Sequence, residues 1–223
     1  MLRHPGWTWP GLHHGFLGRA AAGADGWDAA AAAAGMPLPV VTARQVHGTA
    51  VVEAARWDER PPADAVVTGA RGLLVGVVTA DCTPVLLVDP QRRLAAAVHA
   101  GWRGAAAGVV EAAIEALRAR FAVEPGDLHA CLGPTIGGCC YQVGAEVREA
   151  FVARTGERTA AAWQPDGDRH RLDLRAAVTS LLHAAGVGDV VSVGPCTACD
   201  AGWYSYRRDG AGAGRQVGVI GWA

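Results

Sequence analysis

Three short apolar runs constrain this chain most: Leu73-Leu74-Val75-Gly76-Val77-Val78, Val85-Leu86-Leu87-Val88 and Leu94-Ala95-Ala96-Ala97-Val98. Each has the length and apolar character of a buried strand. The first leads into Asp81-Cys82 within Thr79-Ala80-Asp81-Cys82-Thr83-Pro84, and the third leads into His99-Ala100-Gly101-Trp102-Arg103-Gly104. Reactive side chains commonly sit where rigid strands give way to loops. The remaining sequence is therefore read as support for, or an addition to, the Cys82 and His99 pair.

At 223 residues the chain has enough material for one substantial core, and a single domain over residues 1–223 is expected. No apolar stretch approaches the ~20 residues that cross a bilayer, and no signal-peptide core follows Met1-Leu2-Arg3. The expectation is a soluble cytoplasmic protein with no membrane partner. A net charge of −1 with no basic run gives no case for nucleic acid. Lysine is absent, which excludes Schiff-base chemistry and a lysine-bearing phosphate loop. Asparagine is absent too, which excludes a Cys-His-Asn triad. All basic charge is arginine, a residue suited to holding phosphate or carboxylate but not to donating a proton near neutral pH.

Along the chain, Trp7 to Phe16 reads as an opening turn and strand, and Trp27 to Ala34 as a short helix ended by Gly35 and Pro37. Adjacent His13 and His14 would point to opposite faces of a strand and are read as surface or packing residues. Thr42 to Val52 reads as a strand, a tight turn at His47-Gly48, and a second strand. Arg44 and Gln45 before His47, and Gly48 after it, raise the claim of His47 above that of an ordinary structural histidine. Asp64 to Thr68 is another strand. Gly104 to Phe121 has the pattern of one amphipathic helix. Leu128 to Leu132 is a strand that opens into the glycine-rich turn Gly133 to Tyr141, and Ala145 to Arg154 is a helix. Gly156 to Arg171 reads as polar, with Pro165-Asp166-Gly167-Asp168 as a turn and mobile loop, Asp173 as the cap of a helix ending at Gly186, and Asp189 to Val193 as a strand. Tyr204 to Asp209 and Gln216 to Ile220 look like the arms of a closing hairpin.

His47, Cys82 and His99 have the composition of a three-ligand zinc site, the arrangement that leaves a fourth position for water or substrate. An ion held so lowers the pKa of a bound water to about 7. Two other readings stand beside it. Cys82 is a nucleophile with His99 as its general base and no metal, Asp81 orienting His99 or moving a proton; or Cys82 and His99 belong to the core. Cys196-Thr197-Ala198-Cys199 is a C-x-x-C pair without a second pair at finger spacing, and is read as structural. Cys131, Cys139 and Cys140 are read as buried small hydrophobes.

At these residues the chain resembles the laccase-domain family of bacterial YfiH/YlmD-type proteins, also called multicopper polyphenol oxidase or purine nucleoside phosphorylase. The resemblance rests on Gln45-Val46-His47-Gly48, Ala63-Asp64-Ala65, the Asp81-Cys82 and His99-to-Gly104 segments, Gly133-Pro134-Thr135-Ile136-Gly137, Cys140 to Gly144, and Ser205 to Asp209. It implies an α+β fold, central packed strands flanked by helices, related to Cys/His hydrolases. It also implies zinc on His47, Cys82 and His99, and phosphorolysis of adenosine, inosine, guanosine and methylthioadenosine together with adenosine deamination. The partners implied are a purine nucleoside and phosphate, with the chain a monomer or small homo-oligomer. Residues 1–40 depart from the pattern: Phe16-Leu17-Gly18-Arg19 fits, but the Leu-Asn that follows in the family cannot occur here. Multicopper oxidases carry several His-x-His pairs, and this chain has 8 histidines and no such pair, so copper ranks below zinc.

On this reading Arg44 and Arg103 hold phosphate, ahead of Arg19 and Arg207, and Asp81 carries a proton. The alternatives from other classes are a metal-independent Cys-His hydrolase or amidase on a small amide, and a non-catalytic zinc-binding domain.

Overall fold

The middles of the central strands are apolar on successive residues because both of their faces are covered. The computed structural model describes residues 1–21, 26–55 and 57–223. The chain forms β1 (Leu12–Leu17), α1 (Gly26–Ala33), β2 (Val40–Thr42), β3 (Val51–Glu53), β4 (Ala65–Thr68), β5 (Leu74–Thr79), β6 (Thr83–Asp89) and β7 (Leu94–Ala100). Then come α2 (Trp102–Ala107), α3 (Val109–Phe121), β8 (His129–Leu132), β9 (Gln142–Val143) and α4 (Ala145–Thr155). The last part holds β10 (Trp163–Asp166), β11 (Arg169–Leu172), α5 (Leu174–Ala184), β12 (Asp189–Ser192), α6 (Tyr206–Asp209) and β13 (Gln216–Trp222). The result is an α+β protein with a six-stranded sheet in the order β12-β8-β6-β7-β4-β3, a four-stranded sheet β1-β13-β5-β2, and a small sheet β10-β11-β9.

Successive side chains of a strand point to opposite faces, and the packing follows that period. Val85, Leu87, Ala96 and Val98 share one core with Val109, Ala113 and Leu117 of α3 and Leu181 of α5. Leu86, Val88, Ala95 and Ala97 pack the other way, against Phe16, Val75, Val77 and Ile220 of the four-stranded sheet. The outer face of that second sheet is closed by Ala30, Ala31 and Met36 over Leu17, Leu74, Val217 and Val219. Every residue of β6 and β7 is buried. Full burial of each Val or Leu contributes roughly 1.5–3 kcal/mol, so these strands form the rigid base on which the loops at their ends are held.

Four expectations are corrected. Gly104 to Phe121 is two helices, because Gly108 at φ 103 ends α2 and caps α3 in a conformation that residues with side chains rarely adopt. The strands around His47 do not form a hairpin: β2 pairs with β5 and β3 with β4, in different sheets. The turn within Pro165 to Asp168 joins β10 to β11, but the rest of Gly156 to Arg171 is a 3-10 helix and those two paired strands rather than a loop. Tyr206–Asp209 is a short helix capped by Ser205, whose hydroxyl accepts from the Arg208 amide, and β13 finds its partners in β1 and β5. Among the described residues no helix is long and apolar enough to cross a membrane.

Register brings the reactive residues together. The β6–β7 pairing sets Thr83 opposite Ala100 and Pro84 opposite His99, which delivers Cys82 to the end of β7. The β4–β7 pairing sets Ala65 opposite Val98, and the His99 amide donates to the Asp64 carbonyl at 2.7 Å.

Candidate active site and metal centre

Asp64 is the hub of the site. Its side chain is fully buried, and its Oδ1 accepts from the His47 amide at 2.9 Å and from His99 Nδ1 at 2.8 Å. Its Oδ2 accepts from the Gly48 amide at 2.7 Å and the Val46 amide at 3.2 Å. Burial pushes the Asp64 carboxyl up, but His99 and the amides of Gly48 and Val46 more than offset this and hold it below the ordinary carboxylate range. An ionised carboxylate only accepts, so His99 Nδ1 carries a proton, which leaves Nε2 as the nitrogen available to a metal once its own proton is displaced.

His47 reaches the same point from the loop between β2 and β3, in a left-handed conformation at φ 60. Its Nε2 lies 3.9 Å from Cys82 Sγ, and its ring meets that of His99 edge-on, with centroids 4.8 Å apart. One ligand atom from each of His47, Cys82 and His99 falls within 4.8 Å of the others. A Cβ on Gly101 would stand 3.0 Å from Cys82 Sγ and 3.0 Å from His47 Cδ2, so the absence of a side chain there is what lets the ligands converge. Burial pushes the Cys82 thiol up, yet the positive charge of His99 and the bond to His47 bring it down to about 6. Burial pushes His99 down, yet the Cys82 thiolate and Asp64 bring it up to about 9. The pair therefore favours a thiolate at neutral pH, the form a metal or an electrophile requires.

These donors fit a zinc ion: one thiolate and two imidazoles, with a carboxylate behind one imidazole fixing its tautomer. Without a metal, the same residues form a Cys82–His99–Asp64 series of nucleophile, base and orienting carboxylate.

The cluster lies in a cavity of about 640 Å³ lined also by Arg44, Arg60, Arg103, Arg207 and Arg215, and by Trp102, Tyr141 and Tyr206. Asp81 is in its wall at φ 90, Oδ1 accepting from Thr197 Oγ1 at 2.6 Å and Oδ2 from the Arg207 amide at 2.7 Å. The orienting of His99 that the sequence offered to Asp81 belongs to Asp64. Arg44 and Arg103, the expected phosphate holders, line the cavity together with Arg207, while Arg19 is outside its lining and pairs with Asp209 at 2.9 Å. Arg60 and Arg215 were not anticipated, and neither was Asp64. The signal for Asp64 was an isolated aspartate inside the apolar stretch Ala63 to Val67, a polar group that burial obliges to find partners.

The cysteine expectations divide. Cys131 is buried, but Cys139 is exposed and Cys140 half-buried, because the turn that carries them runs over the surface toward Cys196 and Cys199.

A family model described as "Multi-copper polyphenol oxidoreductase laccase" matches residues 19–223. A purine nucleoside phosphorylase of Streptomyces coelicolor is 43% identical over 195 residues, covering 82% of this chain and 75% of its own. An adenosine deaminase designated RL5, from an unknown prokaryotic organism, is 38% identical over 156 residues, covering 68% of this chain and 59% of its own. The crystal structure of YlmD from Geobacillus stearothermophilus superposes with a TM-score of 0.82 at 30% identity, over 87% of this chain and 78% of that one.

Proposed function

The chain belongs to the multi-copper polyphenol oxidoreductase laccase family, and on that premise we propose that it is a zinc-dependent purine nucleoside phosphorylase that also deaminates adenosine. The observation that carries the reading is the meeting of His47, Cys82 and His99 at one point of a cavity lined by arginines and aromatic rings. The relatives named as a phosphorylase and a deaminase support the substrate class. One thiolate and two imidazoles serve zinc as well as copper, and zinc is preferred because the chain has none of the His-x-His pairs that a multicopper cluster needs.

When bound, the ion supplies Lewis acidity at the junction of β6 and β7. The protein's own groups do the rest. Trp102, Tyr141 and Tyr206 offer flat apolar faces for the purine base. Arg44 and Arg103 hold phosphate: among the described residues neither guanidinium is committed to a protein acceptor, and Arg103 lies over the Trp102 ring at 4.5 Å. Arg207 is less free, since it donates to the carbonyls of Cys140 and Gln142 at 3.1 Å each. In phosphorolysis a phosphate oxygen bonds to the anomeric carbon as the bond to the purine nitrogen breaks, and the departing base gains a proton. Asp81, in the cavity wall, is the group assigned to carry that proton. In deamination water adds to the carbon bearing the amino group and ammonia leaves.

A second reading is favoured by the placement of Cys82 beside a His99 whose Nδ1 is held by buried Asp64 at 2.8 Å: a metal-independent Cys-His hydrolase on a small amide. Chelation separates the two. The zinc enzyme loses phosphate-dependent release of base and regains it with added zinc, whereas the hydrolase keeps its activity in chelator and loses it to a thiol-alkylating reagent.

A further inference from the structure

The four cysteines outside the cavity form a second cluster. Cys139 and Cys140 follow β8 in the turn Gly137 to Cys140, and Cys196 and Cys199 follow β12. Because β8 and β12 are parallel neighbours, their two exit loops run side by side, bridged where the Thr197 amide donates to the Thr135 carbonyl at 3.1 Å. Each loop then closes a tight turn. The Cys140 amide donates to the Gly137 carbonyl at 2.9 Å, and the Cys199 amide to the Cys196 carbonyl at 3.2 Å. All four Sγ atoms finish within 4.8 Å of one another, with Cys139 and Cys140 at 3.7 and 3.3 Å from Cys199.

We propose that Cys139, Cys140, Cys196 and Cys199 hold a structural zinc ion, a site separate from the one in the cavity. Thiolates about 2.3 Å from a tetrahedral zinc stand roughly 3.8 Å from each other, close to the spacing of these sulfurs. The Gly137 amide donates to Cys196 Sγ at 3.2 Å, the kind of backbone support that stabilises a ligating thiolate. Four thiolates around one divalent ion leave a net negative charge, and arginines surround this one. Arg171 donates to the Cys139 carbonyl at 2.6 Å, Arg207 to the Cys140 carbonyl at 3.1 Å, and Arg208 to the Thr197 carbonyl at 2.8 Å. Two exposed cysteines with two half-buried neighbours are a poor packing choice, and as free thiols they invite oxidation. Metal ligation accounts for all four at once.

The site clamps the two loops that build one wall of the cavity. Tyr141 follows Cys140 directly, and Thr197, inside the C-x-x-C turn, holds Asp81 at 2.6 Å. The assignment does not depend on the reaction in the cavity.

The test is zinc content of the purified full chain, by mass spectrometry, for wild type, Cys82→Ala and the Cys196→Ser/Cys199→Ser double variant. Two zinc ions in wild type and one in each of the others uphold the proposal, with the double variant melting roughly 5–10 °C lower. Should the double variant fold poorly, cobalt titration of demetallated wild type decides: a four-thiolate site gives an intense sulfur-to-cobalt charge-transfer band beside visible tetrahedral bands. Wild type that holds one metal, lost in Cys82→Ala, or a cobalt spectrum with only single-thiolate intensity, overturns the site. So does a Cys140–Cys199 disulfide recovered from protein kept under zinc. One zinc that survives Cys82→Ala but not the double variant would uphold this site and count against the reading of the cavity.

Discussion

Asp64 Oδ1 and His99 Nδ1 meet at 2.8 Å with only 0% and 4% of their side chains exposed. Asp64 also collects the amides of Val46, His47 and Gly48, so one carboxylate sets both the tautomer of His99 and the loop that carries His47. Removing one member of a buried, hydrogen-bonded charge network leaves its partners unsatisfied. Asp64→Ala is therefore expected to cost about 3–5 kcal/mol of stability. Asp64→Asn, which keeps the shape but weakens the support of His99, should lower zinc affinity by about 10–100-fold. Competition with a chromophoric chelator measures this, and unchanged affinity in Asp64→Asn would remove Asp64 from the metal's support.

Gly101→Ala tests the convergence of the ligands. The added methyl stands 3.0 Å from both Cys82 Sγ and His47 Cδ2, tighter than ordinary contact, and both residues are among those proposed to hold the metal. The expected outcome is a folded protein whose melting temperature in chelator stays within a few degrees of wild type, with zinc bound at least about tenfold more weakly. Full metal occupancy and full activity in Gly101→Ala would show that the ligand geometry is looser than described.

Arg44→Ala and Arg103→Ala are expected to raise KM for phosphate about tenfold or more each, with a smaller effect on KM for the nucleoside, since each removes charge-assisted bonds to an anion. Arg19→Ala, whose partner is Asp209 at 2.9 Å, should leave phosphate KM unchanged. Steady-state kinetics at varied phosphate read this, and an Arg19 effect larger than those of Arg44 and Arg103 would misplace the phosphate.

Much of this was legible because local pattern and tertiary outcome agree. Leu73 to Val78, Val85 to Val88 and Leu94 to Val98 are strands, as their apolar composition indicated, since no other element buries so short a run on two faces. Cys82 and His99 stood at their ends, and the structure brings the two together there with His47. What failed depended on partners far away in the chain. Tyr204 to Asp209 has strand-like alternation, but the Ser205 hydroxyl caps a helix, and β13 reaches back to β1. The role of Asp64 follows from the β4–β7 register, which no local pattern encodes. The cysteine cluster joins turns some 60 residues apart because β8 and β12 lie side by side.

His14 makes stability pH-dependent. It is buried, its Nε2 accepts from the His4 amide at 3.1 Å, and its ring lies 5.1 Å from that of Trp7. Burial, aided by Arg3, His4 and His13, lowers it from 6.5 to about 4. Between those values the unfolded chain takes up a proton that the native chain refuses. The contribution is thus intact above about pH 6.5 and is lost as pH falls toward 4. With partial screening by nearby solvent, the loss is on the order of 2 kcal/mol. Urea unfolding at pH 7.5 and pH 5 should show a smaller pH difference in His14→Gln than in wild type, and an equal pH difference in the two would contradict it.

The decisive experiment is product analysis with inosine, using zinc-loaded protein, protein stripped by chelator, and Cys82→Ala, each with and without phosphate. Hypoxanthine and ribose 1-phosphate are expected from the zinc-loaded wild type only when phosphate is present, nothing from Cys82→Ala, and recovery of the stripped protein on adding zinc. Zinc-loaded wild type that releases no base in phosphate, or stripped protein that releases it undiminished, would contradict a zinc-dependent phosphorylase at His47, Cys82 and His99.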